Sequence, residues 1–150
     1  MYLCDANIWV AMAIEPHEHG ESVREWLASV GPEETIWFCR VTQQSFLRLV
    51  STAAVLSPYG LEPLTNAHAW DAYEALIRDN RIALRVDDPP GLDRRWKEYS
   101  QRRTASPKLW MDAYLAAFAQ TTGYRLVTTD GAFRQFEGLD LVLLGEDSKA

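Results

Sequence analysis

Short, almost uniformly apolar runs alternate with amphipathic segments along this chain, and this alternation constrains the fold more than any other feature. The runs are β-branched or aromatic and are bounded by turn residues, so they predict five strands at 1–4, 35–39, 82–86, 125–128 and 139–144. Strands that are apolar on both faces are typical of a parallel sheet covered by helices on both sides. The sequence therefore predicts an α/β fold, a three-layer α/β/α domain with a mostly parallel sheet of about five strands.

Helices are predicted between these strands from the spacing of apolar side chains and from capping residues. They span 8–14, 17–30, 42–50, 65–78, 92–102 and 109–120. Asn7 and Thr42 are the predicted N-caps of the first and third helices, and Gly123 ends the last one. The intervening segment 51–63 is rich in turn-forming residues and is predicted to be a loop.

The length of 150 residues fits one domain with one core. We expect this domain to span 1–144 and residues 145–150 to form a polar tail. The formal net charge of −6 argues against nucleic-acid binding through bulk electrostatics, although a local basic patch on an acidic protein remains compatible with it.

The cysteines and the amino terminus bear on the cellular compartment. Cys4 and Cys39 lie in or next to predicted strands, so we expect two buried thiols in a reducing cytosol. Two cysteines and three histidines supply too few closely spaced ligands for a zinc site. The first residues lack a basic region before an apolar run, and no segment is long and apolar enough to span a membrane, so a cytoplasmic location is predicted.

Three aspartates are predicted to meet at one edge of the sheet. Asp5 follows the first strand, Asp130 follows the fourth, and Asp112 lies in the first turns of the helix that leads into the fourth strand. The carboxyl ends of parallel strands share an edge, and a helix that returns to the sheet begins at that edge. Each aspartate alone is more simply explained as a cap or turn residue. Together they favour a site for Mg²⁺ or Mn²⁺, which prefer carboxylate oxygens and can activate water for phosphodiester cleavage.

The segments around these aspartates resemble the PIN-domain nucleases. The opening MYLCDANIWVAMA is similar to the start of these domains, where an Asp after the first strand is followed two residues later by Asn or Ser. The segment LWMDAYLAAFAQTTGYRLVTTDGAF resembles the most distinctive block of the family. A subgroup of VapC toxins has a Thr-Gln-x-x-Phe-x-Arg pattern that resembles VTQQSFLRLVS. The resemblance extends from Met1 to about Leu144.

This resemblance implies a Mg²⁺-dependent endoribonuclease toxin, with Mn²⁺ as a substitute ion. It makes Asp5 and Asp112 the direct metal ligands and Asp130 a further acid of the catalytic site. Asn7 would hold Asp5 or a bound water, and Thr128 or Thr129 would hydrogen-bond a carboxylate or a phosphate. VapC toxins are also expected to form homodimers and to be neutralised by a VapB-like antitoxin that inserts a basic side chain into the acidic pocket.

One position departs from the family pattern. Many PIN nucleases have a Glu three residues after the Thr of the third helix, and here that position is Ser45, beside the neutral Gln43 and Gln44. Fewer anionic ligands weaken metal binding and favour one ion over two, which argues against a strict two-metal scheme. Gln43 is left as a neutral oxygen ligand or an RNA contact.

Basic residues are concentrated between the third strand and the Asp112 helix. They are either a solvated helix face or a phosphate-contacting rim beside the metal, and they comprise Arg94, Arg95, Lys97, Arg102, Arg103 and Lys108. Arg48, in the third helix, either contacts RNA or pairs with an acid, and the sequence favours neither role.

Two other function classes match parts of this sequence. Haloacid-dehalogenase-like phosphotransferases also place an Asp after the first strand, but they have a second Asp two residues later, where this chain has Asn7. The other class is a catalytically degenerate PIN fold that binds RNA or protein, which the absent Glu at Ser45 would suit. Three mutually repelling aspartates favour the nuclease over this module.

Overall fold

A computed structural model describes residues 1–145 of the chain, so most of the predicted polar tail, 146–150, lies outside the described residues. It contains a five-stranded sheet in the order β3-β2-β1-β4-β5, and every neighbouring pair is parallel. The strands are β1 (Tyr2–Cys4), β2 (Ile36–Cys39), β3 (Ile82–Arg85), β4 (Arg125–Thr128) and β5 (Leu141–Leu143). The predicted α/β fold is confirmed, with a sheet that is wholly parallel.

Within residues 1–145, seven α-helices and two short 3₁₀ turns connect the strands. The helices are α1 (Ala6–Ala13), α2 (Gly20–Ser29), α3 (Arg40–Val50), α4 (Ala53–Leu56), α5 (Asn66–Ile77), α6 (Leu92–Ser100) and α7 (Leu109–Thr122). The 3₁₀ turns span Ser57–Tyr59 and Gly131–Gln135. The predicted loop 51–63 is therefore partly helical, because Leu56 of α4 is buried in the core.

Two of the predicted helix caps are wrong. The N-cap of α1 is Asp5, whose carboxylate accepts a hydrogen bond from the backbone N–H of Ala6, so the helix begins before Asn7. The N-cap of α3 is Cys39, and Thr42 lies three residues inside the helix, where its hydroxyl accepts from the Cys39 N–H at 3.0 Å. The predicted end of α7 is confirmed: Gly123 follows it with φ of 75°, a conformation that favours glycine.

Side chains alternate between the two faces of the sheet and build a core on each. On one face, β2 contributes Ile36 and Phe38 to a cluster with α1, α2, α3 and α5, in which Trp9 stacks on Phe38 at 3.7 Å between ring centroids. On the other face, Leu3 and Leu126 pack against α6 and α7. Both cysteines are buried free thiols, as predicted. None of the helices in the described part of the chain has the length and apolar character that crossing a membrane requires.

The chain changes direction across the sheet between β1 and β4. From β1 it proceeds outward through β2 to β3, and it then returns to the other side of β1 as β4. In parallel sheets this arrangement opens a crevice beyond the carboxyl ends of the two central strands, where ligands bind. Asp5 and Asp130 follow those two strand ends.

Candidate active site

Asp5 is held at the end of β1 by two hydrogen bonds. Its carboxylate is buried and accepts from the Ala6 N–H at 2.7 Å and from the Thr128 hydroxyl at 2.8 Å. Burial raises the pKa of this carboxyl, the two hydrogen bonds lower it in part, and the charge of Asp130 raises it again. The carboxylate is therefore fixed in position and gains from a positive neighbour.

Thr128 connects the ends of the two central strands. Its hydroxyl donates to Asp5 and accepts from the backbone N–H of Asp130 at 3.1 Å. Thr128 is fully buried, as expected when both functions of its hydroxyl are used. It orients Asp5 and the backbone of Asp130 together.

Asp112 enters the same site from the first turn of α7. Its side chain is half-buried, and burial followed by the charges of Asp5 and Asp130 raises its pKa to about 6. The structure thus brings the three predicted aspartates within electrostatic reach of one another.

Asp130 is the most exposed of the three acids. Its carboxylate caps the 3₁₀ turn that follows β4 and accepts from the Ala132 N–H at 2.9 Å. With Asp112 it lines an open groove of about 650 Å³. The other side chains at this groove include Arg102, Lys108 and Gln135.

The donor set suits a hard divalent cation. Within residues 1–145, no three His, Cys, Asp or Glu side chains are already grouped as a complete metal site. Mg²⁺ is commonly held by one or two carboxylates and keeps several waters, so a pair of carboxylates such as those of Asp5 and Asp112 fits its needs. Burial, and after it the charges of Asp5 and Asp130, raise the pKa of Asp112, and a bound cation would offset the repulsion among the three carboxylates.

The predicted supporting residues differ in what they contact. Asn7 is exposed, and its side chain has no hydrogen bond to Asp5 in the described structure. Thr128, rather than Thr129, makes the predicted bond to a carboxylate. Gln43 is buried and its amide oxygen accepts from Arg40 at 2.7 Å, so metal binding through that oxygen would compete with this bond. Ser45 is buried in α3 and supplies no charge.

The predicted basic residues also separate into groups. Lys108 lines the groove with Asp112 and Asp130. Arg94 and Arg95 lie on α6 and both pair with Glu98, at 3.6 and 3.0 Å. Arg48 is exposed in the last turn of α3, about 12 Å along the helix from its start at the site edge. Of these predicted residues, Lys108 lines the groove with the acids and Arg48 does not.

Sequence reasoning did not single out Arg102 or Gln135. Arg102 lines the groove and donates to the Gln135 amide oxygen at 2.8 Å, which joins the loop after α6 to the turn after β4. In the sequence, Arg102 was marked only by its membership of a run of basic residues. A run of charges does not tell which of its members face a site.

Comparison with known proteins identifies the family. A family model described as the PIN domain matches residues 2–139. The chain belongs to the PIN-domain family. This PIN domain is 50% identical over 146 residues to Ribonuclease VapC41 of Mycobacterium tuberculosis, an alignment that covers 97% of the chain and 100% of that relative. It is 30% identical over 134 residues to Ribonuclease VapC44 of the same organism, covering 85% of the chain and 84% of that relative.

Solved structures share the fold of this PIN domain. VapBC2 from Rickettsia felis, bound to a DNA fragment from its promoter, superposes with a TM-score of 0.70 at 16% identity and covers 95% of this chain and 98% of that chain. VapC20 of Mycobacterium tuberculosis, described as a sarcin–ricin loop cleaving toxin, gives a TM-score of 0.65 at 14% identity, with 93% and 98% covered. At these identities the likeness is one of fold.

Proposed function

We propose that this PIN domain is a Mg²⁺-dependent endoribonuclease and the toxin of a VapBC-type toxin–antitoxin pair. The observation that carries the proposal is the convergence of Asp5, Asp112 and Asp130 at the carboxyl ends of the two central strands. The 50% identity to a protein named a ribonuclease, over nearly the whole of both chains, supports the same reaction.

Asp5 and Asp112 would hold the metal. Once bound, Mg²⁺, or Mn²⁺ in its place, supplies an activated water and stabilises the negative charge that develops on the scissile phosphate. Thr128 keeps the Asp5 carboxylate at the crevice, and this fixed orientation lowers the cost of assembling the site.

The remaining residues act on the RNA and on solvent. Asp130 is exposed at the groove, and in this proposal it orients a water beside the phosphate or accepts a proton from it. Lys108 and Arg102 line the same groove and supply positive charge for the phosphates on either side of the cut. The site thus combines acids that hold the metal with cations that hold the backbone of the substrate.

Cleavage of a defined structured RNA by the purified chain tests the reaction. We expect cutting with Mg²⁺ or Mn²⁺, and its loss with EDTA and in Asp5→Asn and Asp112→Asn. Asp71→Asn is the matched control, since it removes an exposed acid on α5, on the opposite side of the sheet. Full cleavage by Asp112→Asn, or cleavage that persists in EDTA, would contradict the proposal.

The degenerate binding module is the second outcome of the same experiment. Its supporting observation is the serine at position 45, which leaves the site one carboxylate short of the common family pattern. A module of this kind would neither cut RNA nor gain thermal stability from Mg²⁺, because a cation that does not bind cannot stabilise the folded state.

The toxin assignment implies an antitoxin partner, an RNA substrate in the cytoplasm and a homodimer. Its support is that structures of the same fold include VapBC2 from Rickettsia felis and VapBC-1 from nontypeable Haemophilus influenzae. The net charge of −6 favours a partner that presents basic residues. Expression of this chain alone is expected to slow bacterial growth, and co-expression of the neighbouring small gene to restore it. Normal growth on expression of cleavage-competent protein would remove the toxin role and leave the nuclease.

A further inference from the structure

An aromatic pocket lies next to the acidic groove. It has a volume of about 510 Å³ and is lined by the indoles of Trp96 and Trp110 together with Lys97, Gln101 and Arg102, and also by Asp93 and Ser100. Arg102 lines the acidic groove as well, so the two depressions share this residue and lie side by side. Trp110 lies two residues before Asp112 on α7.

The pocket is built by two packed helices. Trp96 forms edge-to-face contacts with Trp110 and Tyr114, at 6.3 and 5.4 Å between ring centroids, and its indole N–H donates to the backbone carbonyl of Trp110 at 3.0 Å. These contacts fix Trp96. Trp110 keeps 56% of its surface exposed, so its ring is accessible to a ligand at the pocket.

The charges around the pocket indicate what covers it. Lys97 and Arg102 line it, Arg103 and Lys108 lie in or next to the same exposed loop, and none of the four forms an ion pair with a residue of the described chain. Asp93 is the single acid among the described residues that line the pocket. An antitoxin that brings basic side chains would be repelled here, whereas a polyanion is attracted.

We propose that this pocket is an RNA subsite in which a base next to the scissile phosphate stacks on Trp110 while Lys97 and Arg102 contact the adjoining phosphates. Flat aromatic side chains beside cations are the means by which proteins hold unpaired nucleotides. The subsite rests on the proposed ribonuclease function and extends it, because it gives the acidic groove a way to hold a single-stranded segment in place. No base-edge contact is needed for stacking, so the subsite favours unpaired RNA over a particular base.

Binding of a non-cleavable RNA tests the subsite without relying on catalysis. The probe is an end-labelled 2′-O-methyl oligoribonucleotide of mixed sequence and about twelve nucleotides, within the span that one such groove holds, measured by anisotropy in EDTA. We expect Trp110→Ala to weaken binding about tenfold, and Trp110→Phe to retain most of it. Trp70→Ala is the matched control, since Trp70 is 48% exposed on α5, on the opposite face of the sheet.

A second probe separates stacking from a change in charge or fold. This probe is an oligonucleotide of the same length without bases, and Trp110→Ala should bind it as well as the wild type does. Lys97→Ala and Arg102→Ala should weaken binding to both probes. The indole of Trp110 donates no hydrogen bond within the described structure, and the carbonyl that Trp96 contacts belongs to the backbone, so the alanine variant keeps that contact.

Three results would overturn the proposal. One is equal binding of the base-containing probe by wild-type protein and Trp110→Ala, or no binding by either. Another is conversion of a dimer to a monomer by Trp110→Ala, which would assign the pocket to a second copy of this chain. The third is loss of antitoxin binding in this variant with RNA binding intact. The binding assay contains no metal, so its result does not depend on catalysis. If the wild type binds the probe as expected but does not cleave RNA, the proposed function is refuted and the stacking result is unaffected.

Discussion

The hydroxyl of Thr128 donates to the carboxylate of Asp5 at 2.8 Å, joining residues that are 123 apart in sequence. The contact exists because β1 and β4 are neighbours in parallel register, with Cys4 opposite Val127, so that the next residue of each strand reaches the same edge. The site is therefore assembled by strand pairing, and most of the predictions below follow from how its carboxylates respond when that assembly is altered.

Replacing Thr128 with valine removes this hydroxyl and preserves the side-chain shape. The Asp5 carboxylate then loses one of its two hydrogen bonds while it stays buried, and the Asp130 N–H loses its acceptor. We expect a loss of stability of about 1–3 kcal/mol in urea unfolding, together with a sharp fall in metal-dependent cleavage. Thr128→Ser should retain both properties. Thr129→Val is the matched control, and an equal loss there would show that the hydrogen bond is not the cause.

The pKa of Asp112 predicts how metal-free stability depends on pH. Burial and the charges of Asp5 and Asp130 raise this pKa from 3.8 to about 6, so ionisation of Asp112 disfavours the folded state. Its contribution to stability is greatest below the unfolded pKa and is lost as the pH rises through about 6. The full shift corresponds to about 3 kcal/mol, which solvent at this half-exposed carboxyl reduces to about 1 kcal/mol.

Asp112→Asn should consequently stabilise the metal-free protein above this pH, by about 2–4 °C in Tm, and have little effect well below it. Differential scanning fluorimetry in EDTA from acid to neutral pH measures this difference. Asp71→Asn should show no such pH-dependent gain. A destabilised Asp112→Asn protein at neutral pH would mean that ionisation of Asp112 does not disfavour the folded state.

Stabilisation by Mg²⁺ should have the opposite dependence on pH. Asp112 must lose its proton to bind the cation, so the gain in Tm on adding Mg²⁺ should be small at pH values below its pKa of about 6 and increase above it. Asp5→Asn and Asp112→Asn should remove most of the gain. A gain that is the same on both sides of this pH would place the bound ion elsewhere on the protein.

Arg81 anchors the end of α2 to the start of β3. Its guanidinium donates to the carbonyls of Leu27 and Val30 at 2.8 and 2.7 Å and forms a salt bridge with Asp79 at 2.7 Å, which lowers the pKa of that carboxyl. Arg81→Ala leaves the last carbonyls of α2 without these donors. We expect a loss of about 2 kcal/mol, or about 4–8 °C in Tm.

The nearby Arg78→Ala provides the comparison for this anchor. Arg78 is exposed and forms no ion pair with a residue in the described range, so its removal should change Tm little. Arg81→Lys should lose nearly as much as the alanine variant, since one ammonium cannot bridge two carbonyls and a carboxylate. Equal Tm values for Arg78→Ala and Arg81→Ala would contradict the anchoring role.

Local sequence predicted the elements better than their ends. The strand 125–128 was predicted at its observed bounds, and the strand before Asp5 to within a residue, because both are short apolar runs with polar residues after them. The N-caps were missed since Asp5 and Cys39 belong equally to a strand end and a helix start. Helix α4 was missed because four residues carry too little periodicity to distinguish them from a turn.

The candidate site likewise combines features that local sequence predicts with features that it does not. The positions of Asp5 and Asp130 at strand ends and of Asp112 at a helix start follow from local patterns, and they sufficed to predict that the three acids converge. Whether Thr128 or Thr129 reaches Asp5 depends on which face of β4 each side chain occupies next to β1. The roles of Lys108 and Arg102 depend on where the loop between α6 and α7 lies, which a run of basic residues does not determine.

Hydrophobic spacing and turn chemistry within a few residues were enough to establish the alternation of strands and helices, the burial of the sheet on both faces and the positions of acids after strands. Tertiary structure alone decided the strand order, the hydrogen bond from Thr128 to Asp5, the raised pKa of Asp112 and the aromatic pocket beside it. These features arise between residues far apart in the chain, and their energies depend on distance, burial and neighbouring charge, which exist only once the chain has folded.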